Sequence, residues 1–492
     1  MTAPPRLNAE RLGSLPTAVE RPRYDREAVT CGIVHLGIGA FHRAHQAVYT
    51  EDVLAAGDHR WGILGASLRS PDTRDALKPQ DSLYTIAVRD SERERLRVVG
   101  SILDVMVGPE DPEALIARMS DPTVAIVSLT VTEKGYCHDP ATGQLDENHP
   151  DVVHDLAHPA APRSALGYLA AAIARRRAAG VRPFTVMSCD NLPANGRTAR
   201  RILTRFAALV SPELGRHVAE AIAFPDTMVD RIVPATTDID RTHVGRVLGL
   251  ADAWPIMTEP FTQWVIEDHF VAGRPAWETV GATIVGDVAP YEAMKLRLLN
   301  GSHSAIAYLG YLASHETVAD AMADPAIAAY VAALMDDTTV TLTLPAGADV
   351  TGYKASLIER FRNRALKHRT WQIAMDGSQK LPQRLLGTIR DRLDRGMPIA
   401  RHALAVAAWM RYVTGVDERG NPIDVRDPLA GDFAAIARDA GPVAERLAPA
   451  LLGLRAIFGE ELAADERFRA AVTQALSALY AKGAKATVAA YG

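Results

Sequence analysis

One stretch constrains the fold more than any other: a short apolar run that ends in two glycines and passes straight into helical periodicity. It reads "GIVHLGIGAFHRAHQAVY" (32–49). The β-branched run over 32–38 predicts a buried parallel strand. Helical spacing follows through "AHQAVYTEDVLAAG", with Gly57 as its stop signal, and "WGILGAS" (61–67) is the next strand. Strand, glycine turn, helix and strand form one βαβ unit, in which backbone N–H groups and a helix N-terminus face a pyrophosphate. Gly37 permits the tight turn, and Gly39 lets a phosphate approach the backbone. His42 holds the place of the third glycine in G-x-G-x-x-G, and it cannot provide the close helix–strand packing that a glycine allows.

Further strands are predicted at 83–88, 97–102, 125–131 and 184–189, with helical segments between several of them. This alternation predicts a doubly wound α/β lobe. From about residue 285 long Ala/Leu-rich helical stretches take over. At 492 residues the chain exceeds the roughly 250–300 at which a single core stops growing. The expected division is therefore 1–285, a dinucleotide-binding α/β domain, and 286–492, a mostly helical substrate domain, packed with a cleft between them.

Composition excludes several function classes. A net charge of −5 gives no reason to expect nucleic acid as a partner. Three scattered cysteines are not a disulfide framework and suit a reducing cytosol. "MTAPPRLNAERLG" lacks a basic region followed by an apolar core, and no apolar run reaches the ~18 residues of a membrane span. A cytoplasmic protein with no signal peptide and no membrane partner is expected. H-E-x-x-H, C-x-x-C and P-loop patterns are missing, which favours chemistry without a metal.

"MKLRLLNGSHSAIAYLGYL" (294–312) is the densest chemical constellation. In an α-helix of about 3.6 residues per turn, Lys295, Asn300 and His303 fall within about 140° of one face. A desolvated Lys serves as an acid/base, and an Asn amide stabilises an alkoxide. The same spacing also suits a helix with a surface Lys and a core His. "FTVMSCDNLPANG" (184–196) sets Asn191 after the end of a strand, either as a donor to a substrate oxygen or as an Asx turn. Asp230, in "FPDTMVDRIVPAT", is a substrate-binding candidate whose plainer reading is a buried ion pair with Arg231. In the basic run 362–386, Arg369, Lys380 and Arg384 are either clamps for an anionic substrate group or a solvated face. The second strand ends in "ASLRSPD", which offers Ser67 and Arg69 before Asp72 where an acidic residue usually holds the ribose, and Arg69 leaves NADP open beside NAD.

Several blocks in order, "GIGAFHRAHQAVY", "SLTVTEKGY", "SCDN", "FPDTMVDRIVPAT", "EPFTQWVIED", "MKLRLLNGSHS" and "MDGSQKLPQR", resemble the long-chain mannitol dehydrogenase family from about residue 30 to 490. The resemblance implies a Rossmann-type first domain and metal-independent hydride transfer between NAD(H) and a sugar acid or polyol. It implies that Lys295 is the general acid/base, that Asn191 and Asn300 hold the reacting oxygen and that His303 orients the substrate. It makes Gly37, Ile38, Gly39, Ala40, Phe41, His42 and Arg43 the nucleotide loop, with no need of a third glycine. "HRTWQIAMDGSQKLPQRLL" and "WMRYVTGVDERGNPIDVRDPL" look closest to the branch acting on D-mannonate and D-fructuronate. The mannitol/fructose branch is the alternative, and a non-catalytic NAD-binding sensor a distant one. Members of the family are often monomers.

Overall fold

The first predicted strand lies at Cys31–Leu36 (β1) and is buried at every residue, as a parallel strand covered on both faces must be. The computed structural model describes residues 4–139 and 142–492. The chain divides into two units, Met1–Ala289 and Pro290–Gly492. The remaining strands are Gly62–Ser67 (β2), Tyr84–Arg89 (β3), Glu94–Val99 (β4), Ile102–Val107 (β5), Ile126–Leu129 (β6), Thr185–Ser188 (β7), Thr227–Asp230 (β8), Ile256–Thr258 (β9), Gln263–Glu267 (β10) and Thr283–Val285 (β11).

The main sheet runs β5-β2-β1-β6-β7 and is parallel throughout. Taken in chain order its strands lie 3-2-1-4-5, so the order reverses between β1 and β6, where open α/β sheets bind ligands. Side chains alternate between its faces. Val34, Leu36, Val127 and Val186 join one core with the helices Pro112–Ser120, Ala165–Ala178 and Asn195–Val210. Ile33, Ile126 and Met187 face the other, built around Trp264 and Trp277.

The predicted strand at 97–102 is two strands of different sheets. β4 pairs antiparallel with β3 in a side sheet completed by β9, whereas β5 pairs with β2. The chain breaks at Gly100, where a Cβ would lie 2.8 Å from Pro22 Cγ. There Gly100 N–H donates to the buried Glu51 carboxylate at 2.8 Å, and its carbonyl accepts from Arg26 at 3.0 Å. The alternation of apolar residues ran on across a point where the backbone bonds leave the sheet.

No strand follows β11 among the described residues, and the second unit is built from helices. Its central helix, Ala400–Tyr412, is buried from His402 onward and packs with Gly301–Leu312 and Glu466–Val488. No helix among the described residues is long and apolar enough to cross a membrane.

Candidate active site

In the first unit, a cavity of about 620 Å³ opens at the switch point of the main sheet. Gly37, Ile38, Gly39, Ser67, Arg69 and Thr130 line it, with Lys134 and Arg163 as further cations. Gly37 has φ +93, and a Cβ there would stand 2.2 Å from Thr130 O, so a side chain would split the two strand ends. Thr130 Oγ1 donates to Gly37 O at 2.7 Å, and His35 bridges Ser128 and Thr130 at 2.8 Å each. These bonds fasten β1 to β6 beneath the turn. The glycine cradle, the neighbouring cations and the volume fit a dinucleotide phosphate.

The rest of the predicted nucleotide loop does other work. Ala40, Phe41, His42 and Arg43 are not among the residues lining the cavity. His42 is buried and stacks on His35, ring centroids 3.4 Å apart. Arg43, also buried, donates to Trp254 O at 2.9 Å and lies over the rings of Tyr84 and Trp254, while Tyr84 OH donates to Arg43 O. Phe41 stacks on His45. The close approach that a third glycine would allow is found in β2 instead: a Cβ on Gly65 would meet Ile38 Cδ1 at 2.5 Å.

Asp190 was not singled out from the sequence, yet it shapes the cavity wall. Its carboxylate accepts N–H bonds from Val131 (3.1 Å) and Thr132 (2.9 Å) and the Tyr136 hydroxyl at 2.8 Å. Thr132 sits at φ 65, ψ 166, a region that costs a non-glycine residue roughly 1–3 kcal/mol. Hydrogen bonds to a charged group contribute about 1.5–3 kcal/mol each, enough to hold that strain. The signal was available in the sequence: an acid directly after a parallel strand, beside the Asn already noted. Asn191 itself is exposed just past β7. Asn195 holds the turn behind it, donating to Asp190 O at 2.9 Å and to Thr227 O at 3.0 Å. Asp230 is buried at the end of β8, and Arg231 donates to the carbonyls of Ala44 and Glu259.

In the second unit, the segment holding Lys295 and Asn300 is not a plain α-helix. Residues Lys295–Asn300 form a π-helical stretch between Ala289–Met294 and Gly301–Leu312, with Gly301 N–H bonded to Leu296 O. In an i→i+5 turn, positions 295 and 300 lie one wide turn apart, so the face reckoned at 3.6 residues per turn does not apply to them. Pro382–Leu386 is a second π stretch, packed against the first. A Cβ on Gly301 would stand 2.8 Å from Arg384 O, so the glycine lets the two backbones meet. π-bulges of this kind concentrate at functional sites.

Lys295 and His303 are buried. His303 packs at 5.1 Å edge-on against His368 and at 4.7 Å against Phe361. Burial, followed by the charges of His368, Arg360, Arg384 and Lys380, keeps its imidazole neutral, well below the usual histidine range. Lys380 and Arg384 therefore share His303's surroundings. Burial pushes Lys380 down to about 8, and its ammonium donates to the carbonyls of Ile373 and Met375. Arg384, pushed down to about 10 by burial, donates to Ser304 Oγ at 3.2 Å. No carboxylate of the described residues lies within ion-pair distance of it. Arg369 stands apart: its side chain is half exposed and faces Glu316 at 3.8 Å. Arg360 and His368 join the cluster without having been predicted. Arg360 lies three residues after the buried Leu357 and next to the buried Phe361, a position where an unneeded cation would not be tolerated. The "MDGSQK" turn is shaped by Gly377, where a Cβ would strike Trp409 Nε1 at 2.5 Å and Tyr308 OH at 2.6 Å.

A parallel sheet with a glycine cradle at its switch point is the arrangement of a dinucleotide-binding unit, and the helical unit sets His303 beside buried cations. The chain matches the Mannitol dehydrogenase Rossmann domain over residues 31–279 and the Mannitol dehydrogenase C-terminal domain over 287–480. It belongs to the mannitol dehydrogenase family, whose members act on sugar acids or polyols. It is 49% identical to D-mannonate oxidoreductase of Escherichia coli (strain K12), over 96% of this chain and 98% of that one. It is 42% identical to mannitol 2-dehydrogenase of Phaeosphaeria nodorum, over 99% and 85%. Among solved structures it resembles Pseudomonas fluorescens mannitol 2-dehydrogenase in ternary complex with NAD and D-mannitol (TM-score 0.88, 42% identity, 98% of each chain). It also resembles substrate-free D-sorbitol dehydrogenase (TM-score 0.91, 34% identity, 98% of this chain and 100% of that one).

Proposed function

We propose that this chain interconverts D-mannonate and D-fructuronate with NAD(H). The observation that carries the reading is the partly buried Arg384, which has no carboxylate partner among the described residues and lies beside Lys380 and the neutral His303. Among the described residues Arg384 bonds the Ser304 hydroxyl alone, whereas the buried Arg43 and Arg231 are met by carbonyls, and a substrate carboxylate would take its remaining donors. The 49% identity to a D-mannonate oxidoreductase supports the same substrate class.

The first unit binds the coenzyme diphosphate through the backbone at Gly37–Gly39, with Arg69, Lys134 and Arg163 offsetting its charge. The nicotinamide coenzyme supplies or accepts the hydride. In the second unit Lys295 gives a proton to the reacting oxygen during reduction and removes it during oxidation. Asn300 donates a hydrogen bond to that oxygen as it becomes an alkoxide. His303, neutral, has a ring nitrogen to donate or accept and orients a neighbouring hydroxyl. Lys380 and Arg384 take the carboxylate.

The test follows NADH absorbance with fructuronate, tagaturonate and fructose side by side. Fructuronate is expected to give a kcat/KM at least about a hundredfold above fructose, the scale of one lost charge-assisted pair. A fructose preference would move the reading to the mannitol/fructose branch, which the structural likeness to a D-mannitol complex supports. No oxidation with any of the three would leave a non-catalytic coenzyme-binding sensor.

A further inference from the structure

The cavity wall holds a donor set that hydride transfer does not use. Cys137 closes the short helix Glu133–Tyr136 in the left-handed region, at φ 50. His149 caps the helix Pro150–Ala157, its Nδ1 accepting Asp151 N–H at 3.2 Å, and Asp151 lies in that helix's first turn. The Cys137 thiol, a His149 ring nitrogen and an Asp151 carboxylate oxygen all lie within 4.8 Å of one another. Cys137 is buried, whereas His149 and Asp151 are half-buried, so the triad is roofed on one side and open on the other.

The donor types select the ligand. Thiolate, imidazole and carboxylate together suit Zn²⁺, which takes three protein donors and a water in a tetrahedral open site. Mg²⁺ and Ca²⁺ prefer oxygen alone and would not recruit a thiol.

We propose that Cys137, His149 and Asp151 bind one Zn²⁺ ion and that the occupied site closes the dinucleotide cavity. On binding, the thiol loses its proton to water and a sulfur–zinc bond forms, with no change of oxidation state. His149 exchanges its hydrogen bond to Asp151 N–H for the ion. Cys137 and Asp151 line the same cavity as Gly37, Gly39 and Lys134, so the ion and its water stand in the coenzyme's space. Only this closure rests on the proposed coenzyme role of the cavity; the binding of zinc does not.

The experiment titrates Zn²⁺ into tag-free wild-type chain against a chromophoric chelator. One ion per chain is expected, with affinity at least tenfold lower in C137S and in H149A, which alter separate elements. Circular dichroism checks that both variants fold. Co²⁺ in place of zinc should give a thiolate charge-transfer band that C137S lacks. NADH fluorescence titration should then show at least tenfold weaker coenzyme binding with saturating Zn²⁺ in wild type and no such change in H149A. No stoichiometric ion, or binding indifferent to both substitutions, overturns the site. A bound ion with NADH affinity intact overturns the closure. Failure of NADH to bind zinc-free wild type overturns the coenzyme reading and the closure with it, and the ion stoichiometry decides the site independently.

Discussion

The imidazole of His42 lies flat on that of His35, centroids 3.4 Å apart and planes 13° from parallel, under the glycine turn. Burial lowers both rings, His35 to about 3 and His42 well below its usual range, so the folded stack is neutral. In the unfolded chain both titrate near pH 6.5. As pH falls below that value the unfolded state binds protons that the folded state refuses, and stability drops. Each such histidine costs up to about 1.4 kcal/mol per pH unit. The stabilisation is complete above pH 6.5 and is lost toward pH 3. His42→Phe keeps a stacked ring and removes one titration. The fall in Tm from pH 7.5 to 5.5 should therefore be smaller in the variant than in wild type. An equal fall in both proteins would show that His42 is not held neutral.

Arg69 lines the cavity just past β2, where a carboxylate would otherwise select the ribose hydroxyls. The wild type should use NADPH as well as NADH. Arg69→Asp should lower kcat/KM for NADPH by roughly 10–100-fold more than for NADH, the scale of a hydrogen bond to a charged group. Unchanged NADPH efficiency in that variant would exclude Arg69 from coenzyme choice.

Lys295 is assigned the proton. Lys295→Ala should cut turnover by about 10²–10⁴, typical of a removed general acid/base, while NADH still quenches tryptophan fluorescence with wild-type affinity. Retained turnover would sink the role. Lost NADH binding would mean instead that the substitution disturbs the fold.

Lys380, lowered to about 8 by burial, is charged below that pH and neutral above it. If it holds a carboxylate, KM for fructuronate should climb above pH 8 while KM for fructose stays level. Lys380→Met should abolish that climb and raise the fructuronate KM already at pH 7. Arg384→Ala should raise it by about 10–100-fold at every pH. Parallel changes for fructose in both variants would make the pair structural.

The main sheet was legible because it rests on local signals: Gly37 must turn with positive φ, and the runs around it are apolar on both faces. What depended on distant partners was not legible. The break at Gly100 is enforced by Pro22, Arg26 and Glu51, which are remote in sequence. His42 and Arg43 adjoin the glycines and so looked like part of the nucleotide loop, but their partners are His35, Tyr84 and Trp254. Arg360 and His368 gain meaning only beside His303. The wide turn at 295–300 is invisible to a fixed helical period, although the five-residue spacing from Lys295 to Asn300 matches its repeat.

That wide turn holds one residue more than the α-turn it replaces, so it can be regarded as a single-codon insertion. Deleting one residue, such as Leu296, would let the wide turn close to an α-turn and draw Lys295 and Asn300 together by one position while the downstream helix keeps its phase. Because the opposite turn at Pro382–Leu386 carries a spare residue too, the two can be trimmed separately or together. Substrate range in this scaffold can therefore change by length as well as by side chain, through indels in helices where point substitutions alone would be sought.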